Sequence, residues 1–271
     1  MKKIIITILI FPLLFSCANN DMEMASLKES RASSHTEIDE VVNWDFVADR
    51  RAGSVVGADL IGGVFGFLKG GFVGALLWGT LSSVAQSTVN ELQSLPVYIG
   101  AIEDDFILNN QNPYEFVGLF HYKVINEELR KSYGSYKNMD EVLFENHFND
   151  FVAYKDRQTV IYPELNRSNY PYEDYEQDFE AFITFHDGVK EEWLSQEMNL
   201  HSLEVLQNYF TLLEESKSVK DFVDKSLDAE EFLLADISLG LTEKELLLST
   251  MSTARIGLQY WAWVIRELDK D

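Results

Sequence analysis

Residues 242–268 read TEKELLLSTMSTARIGLQYWAWVIREL, and the spacing of their apolar side chains decides the fold class. Leu247, Met251, Ala254, Leu258, Trp261, Ile265 and Leu268 step by four and three residues, which returns them to one face of an α-helix. Thr242 followed by Glu245 has the form of a capping box, in which a hydroxyl and a carboxylate each satisfy a backbone N–H at the helix start. The stretch predicts a long helix whose seam is the core stripe of a bundle.

Working outward, the same period recurs. Asn112-Pro113-Tyr114-Glu115 marks a helix start, with asparagine as cap, proline at the first helical position and glutamate three beyond the cap. Phe116, Phe120 and Val124 then stack one turn apart, widened by Val117 and Leu119. A further helix is expected over 139–154, with Leu143, His147, Phe148, Phe151 and Val152 inward. Pro163 and Pro171 bracket a tyrosine-rich loop, and helices resume over 173–193, 200–213 and 219–234, the last with a break near Asp228. No period-two alternation extends beyond a few residues such as 159–162. The expected fold is all-α, an antiparallel helical bundle with a Gly-rich helical hairpin near the N-terminus.

That Gly-rich segment runs from about Val55 to Val89. Gly62, Gly66, Gly70 and Gly74 recur every fourth residue, with Gly53 and Gly57 ahead of them. On one helix they form a smooth stripe that lets another helix approach backbone to backbone, although each glycine costs up to ~1 kcal/mol of helix propensity relative to alanine. Two readings account for that cost: a membrane-active or self-associating glycine zipper, or two helices packed tightly inside a soluble domain. Asp59 and Lys69 interrupt the apolar run, so no clean stretch of the ~20 residues needed to span a bilayer is left.

The N-terminus has its own logic. Lys2 and Lys3 precede an apolar run, Ile4 to Phe15, too short to span a bilayer, which reads as a cleavable signal peptide over 1–16. Leu14-Phe15-Ser16-Cys17 resembles the bacterial lipobox, and Cys17, the one cysteine of the chain, falls where lipidation requires it. Acyl chains on Cys17 anchor the protein, each buried methylene contributing about 0.8 kcal/mol. Residues 17–36 lack periodicity and read as a lipidated tether. Residues 37–95 follow as the Gly-rich helical segment and 96–271 as the helical domain, together one globular unit. Asp21 and Glu23 resemble the surface-export signal of Bacteroidetes-type lipoproteins. The expected location is therefore the outer membrane, at its periplasmic face or on the cell surface.

Composition narrows the partners. A chain of 271 residues that is 46% hydrophobic and 13% aromatic has the material for a large core. Its net charge is −23, and loss of Lys2 and Lys3 with the leader makes the mature chain more acidic still. Such a surface repels phosphate backbones, which sets nucleic acid aside. The expected partners are the membrane, through the lipid on Cys17, and another protein whose identity the sequence does not carry.

Three groups of residues together resemble a family of uncharacterised exported Bacteroidetes-type proteins. They are Ala58-Asp59 leading into Gly62-Gly63; Asn112-Pro113-Tyr114-Glu115-Phe116-Val117-Gly118 with His121; and Ser252-Thr253-Ala254-Arg255 with Tyr260-Trp261. Their order matches across most of the mature chain. Typical members place asparagine directly after the histidine, where Tyr122 stands here. The resemblance implies structural roles for Asn112, Pro113, Tyr114, Gly118, His121, Arg255 and Trp261, and it implies no activity.

Candidate chemistry is sparse. His121 lies at the edge of an apolar helix face, where a hydrogen-bonded core histidine is the expectation, with Ser252, Thr253, Arg255 or Tyr260 as its partner. His147 is read the same way. His186-Asp187 and Glu197 with His201 are possible ligand pairs, but zinc sites take three or four spaced ligands and no HExxH-type pattern is present. The acids Glu173, Asp174, Glu176 and Asp178 lack the order of a calcium loop and read as a solvated helix face. With no Gly-x-Ser-x-Gly elbow or phosphate loop in the chain, no catalytic residue, metal or cofactor is expected. The functional expectation is a non-enzymatic interaction or structural protein of the cell envelope. A bacteriocin-like, membrane-active antagonist and an envelope hydrolase or metal-binding protein are the alternatives.

Overall fold

The computed structural model describes residues 44, 49–89, 105–127, 141–166, 170–184, 194 and 197–268. Cys17, the signal peptide, the tether, His186 and Asp187 lie outside the described residues, as does the side chain of His147. Among the described residues there are seven α-helices and no strand, so the fold is all-α. The helices are α1 (Arg50–Val89), α2 (Glu115–Glu127), α3 (Glu141–Gln158), α4 (Tyr172–Thr184), α5 (Leu200–Glu215), α6 (Val219–Ala235) and α7 (Leu241–Leu268), with a short 3-10 turn at Pro163–Asn166.

The last helix is the axis of the domain. It packs against α1, α2, α5 and α6, and every residue from Leu246 to Ala262 is buried. The sequence marks one apolar seam on this helix, yet its opposite faces are covered too, because neighbours surround it. Ser249, Thr250, Ser252, Thr253, Arg255 and Gln259 therefore lie in the interior and require internal partners. Its cap sits two residues earlier than Thr242: Gly240 precedes the first turn, and Glu243 accepts from the Gly240 N–H. α6 runs without a break past Asp228.

The Gly-rich segment is a hairpin. Helix α1 leaves helical geometry at Gly70 (φ −138°, ψ 23°) and Gly71 (φ 58°, ψ −146°), a conformation that at Gly71 only glycine adopts without strain. The four glycines thus do not share one helix. Gly62 and Gly66 lie on the first arm, Gly70 at the kink and Gly74 on the second arm. A Cβ on Gly66 would overlap the Gly74 carbonyl, and one on Gly74 would overlap the Gly66 carbonyl. Gly62 faces the Trp78 carbonyl and the Ser82 hydroxyl in the same way. Any larger side chain would push the arms apart.

The stretch from Arg50 to Val84 is by length and composition apolar enough to cross a membrane, with 78% of its most apolar window buried in the domain. Hydroxyls on the second arm return to carbonyls of their own helix, Thr80 to Leu76 and Ser82 to Trp78, which keeps these polar atoms satisfied among apolar neighbours. At the tip, the ring of Tyr170 lies against Gly70, where a Cβ would stand 2.8 Å from it. Trp78 Nε1 donates to the Tyr170 hydroxyl at 2.9 Å, which donates to Asp178 at 2.6 Å, and Lys69 pairs with Asp178 at 3.2 Å. Around this tip Phe65, Trp78, Tyr175 and Phe182 form an aromatic cluster.

Candidate functional site

Among the described residues two buried polar clusters stand out, one joining α7 to α2 and α6 and the other between the hairpin and α2. The larger is centred on Arg255. A guanidinium with no exposed surface must be paired, since a lone buried charge is costly. Its Nε donates to Glu230 of α6 at 2.9 Å, Nη1 to the Ile107 carbonyl at 2.6 Å, and Nη2 to Glu115 in the first turn of α2. Burial opposes the charge on Arg255, but the two carboxylates more than offset it and raise its pKa. Burial likewise raises the pKa of Glu115, with Arg255 pulling the other way.

The segment before α2 completes this network. Asn112 accepts from the Tyr114 N–H at 2.9 Å, as a turn-forming asparagine does, while its amide donates to Glu230 at 3.0 Å and to the Leu248 carbonyl at 3.1 Å. Asn109 also donates to Glu230, at 2.8 Å, and its backbone N–H donates to Glu115. The helix begins at Glu115, two residues after Pro113, because Asn112 to Tyr114 are turned to serve these contacts. Pro113 is exposed, and the Tyr114 hydroxyl donates to Glu245 at 3.2 Å. Gln259 brackets Ile107 from the other side, its side chain accepting from the Ile107 N–H at 2.8 Å. Beyond Glu230, Ser226 links to Tyr209, whose hydroxyl donates to the Met251 carbonyl. Nearby, Gly118 lets α2 touch the backbone of α7: a Cβ there would stand 2.5 Å from the Ser252 carbonyl oxygen. Trp261 is buried edge-on to Tyr260.

The second cluster lies between the hairpin and α2. His121 points into the hairpin, to Asp59 and Thr80, and not to Ser252, Thr253, Arg255 or Tyr260 of α7 as expected from the sequence. Its Nε2 is 3.3 Å from Asp59 Oδ2, and its Nδ1 is 3.5 Å from the Thr80 hydroxyl. Gly118 and His121 lie about one turn apart on the same side of α2, and where Gly118 meets Ser252 of α7, His121 meets the second arm of the hairpin beside Gly79. The Asp59–His121 pair is within ion-pair distance, and among the described residues neither Asp59 oxygen nor the Ser83 hydroxyl has a well-aligned hydrogen-bond partner, although His121 and Ser83 both stand close enough to the carboxyl to oppose its desolvation. Burial accordingly raises the Asp59 pKa, opposed by His121. Hydroxyl, imidazole and carboxylate stand in the order of a nucleophile–base–acid relay. All three are at most 1% exposed, and the Thr80 hydroxyl donates to the Leu76 carbonyl.

The remaining candidates separate. His201 pairs with Asp236 at 2.8 Å, and Glu197 is exposed. On α4, Glu173, Asp174 and Glu176 face solvent, whereas Asp178 turns to Lys69 and Tyr170. Among the described residues no group of three or more His, Cys, Asp or Glu side chains is placed to hold a metal ion. Sequence reasoning missed Glu230, Asn109 and Gln259, and nothing local distinguishes them from the other polar residues of an acidic chain. Asp59 carried a signal, since a single acid inside an apolar helical run requires a buried partner.

Comparisons with protein families, with curated proteins and with solved structures found no match for this chain.

Proposed function

We propose that the chain is a lipid-tethered cell-envelope protein that acts through protein contacts rather than through chemistry of its own. The observation that carries this reading is where the reactive side chains are spent. Arg255, Glu230 and Glu115 bond to one another and to backbone, and Asp59, His121 and Thr80 are enclosed between the hairpin and α2. Such networks fasten helices together and specify one packing. Lipid on Cys17 and the acid-containing tether would then hold the domain at the outer membrane. The test is chemical cross-linking in intact cells: a discrete adduct formed by the parent and lost with Cys17→Ala supports the reading, and the absence of any adduct with the parent overturns it.

One observation favours a second reading, in which the chain is a membrane-active antagonist. The stretch from Arg50 to Val84 is long and apolar enough to enter a bilayer if the hairpin leaves the domain. Its interior glycines are committed to contacts between its own arms, which a hairpin would keep on insertion. Release of a trapped dye from liposomes by the purified chain would move this reading ahead of the first.

A further inference from the structure

We propose that the end of the bundle where α5, α6 and α7 meet is a docking surface for a basic segment of another protein that carries apolar side chains. This rests on the interaction reading above and adds to it the surface and the chemistry of the partner.

Four large apolar side chains are exposed at this end: Leu200 opening α5, Phe232 in the last turn of α6, Ile237 in the connection and Leu241 opening α7. Ile237 is 99% exposed and Leu200 and Leu241 are each 72% exposed. Single exposed apolar residues are ordinary, but several around one connection mark a contact surface. The connection is braced. His201 holds Asp236 at 2.8 Å, which brings the start of α5 against it. The Asp236 N–H donates to the Phe232 and Leu233 carbonyls, Ser238 donates twice to Asp236, and Lys244 donates to the Leu234 carbonyl at 3.0 Å. Apolar side chains displayed on a fixed backbone lose little freedom when they dock.

Charge selects the partner. Glu197, Glu204, Asp228, Glu231, Asp236 and Glu243 all lie within about one helical turn along the chain from these apolar residues. Among the described residues within that reach Lys244 is the one Lys or Arg, turned to the Leu234 carbonyl, and its single charge leaves the acids in excess. A second copy of the chain would bring the same acids face to face, and anionic headgroups would be repelled. A basic partner is steered toward the surface, and its apolar side chains meet Ile237, Leu241, Leu200 and Phe232.

The experiment titrates the mature chain with a helical peptide of leucine and lysine, and with its leucine and glutamate counterpart, read by fluorescence anisotropy. The lysine peptide should bind, more weakly as salt rises, and Ile237→Ser or Leu241→Ser should each lower its affinity about tenfold. Both positions are exposed, so the variants should keep the helicity and melting temperature of the parent. A photo-crosslinker at position 237 should label the peptide. Equal affinity in parent and variants, or equally tight binding of the glutamate peptide, overturns the proposal. So does a crosslink to a second copy, or uptake by phosphatidylcholine vesicles that depends on Ile237. Peptide binding that maps elsewhere removes this surface and leaves the interaction reading intact; that reading fails separately, on the intact-cell cross-linking.

Discussion

Gly66 and Gly74 stand back to back across the hairpin, each occupying the space that a side chain on the other would need. The close approach of the two arms depends on this pair. It lets Trp78 and Phe65 reach edge-to-face contact at 5.2 Å and brings Asp59 on the first arm to the same level as Thr80 on the second.

Gly66→Ala should therefore destabilise the domain by about 1–3 kcal/mol through overpacking against backbone that cannot move aside. Gly53 is the control: a Cβ there meets nothing within 4 Å, so Gly53→Ala should be neutral or stabilising by up to ~1 kcal/mol through helix propensity. Urea unfolding of both variants measures the difference. Equal stabilities would show that the arms are not in contact.

Asp59 sets a pH dependence. Its folded pKa is raised, so its contribution to stability is fully present below the unfolded value of about 3.9 and is lost as pH rises through the folded value. Above the unfolded value the unfolded carboxyl ionises more readily than the folded one, so stability falls as pH rises, and Asp59→Asn, which carries no such penalty, should raise the melting temperature at neutral pH by an amount corresponding to about 1–3 kcal/mol. The advantage should shrink toward acid, where the parent is protonated as well. A difference that grows on acidification would reverse the assignment.

Arg255→Met removes the cation between two buried carboxylates and should cost about 3–5 kcal/mol, as breaking a buried pair does. Adding Glu230→Gln should return part of that loss. Denaturant unfolding of the four members of this cycle yields the coupling energy, and strictly additive losses would show that the two side chains do not act together.

Cys17→Ala should abolish incorporation of radiolabelled palmitate and shift the protein from the membrane fraction to the soluble one, while circular dichroism of the domain stays that of the parent. Persistent label, or persistent pelleting with membranes, would mean that another segment anchors the chain.

Sequence alone determined the fold class and the positions of most helices, because burial imposes a period on residues such as Leu247, Met251, Ala254, Leu258 and Trp261 that survives without knowledge of any neighbour. Helix starts were legible only to within two residues. Gly240 with Glu243 and Thr242 with Glu245 have the same spacing, and the path of the chain entering α7 chooses between them. Tertiary structure decided the rest. The glycines between 62 and 74 look alike in sequence, and which of them bends is set by the packing that presses Gly66 onto Gly74. Whether His121 meets Arg255 or Asp59 depends on how α7 and the hairpin divide one side of α2 between them. Glu230 follows an alanine and precedes another glutamate in an acidic helix, and only the arrival of Arg255 from a helix 25 residues away marks it as buried. Periodicity records that a side chain is buried, whereas its partner is chosen by contacts between distant segments, and those leave no local trace in the chain.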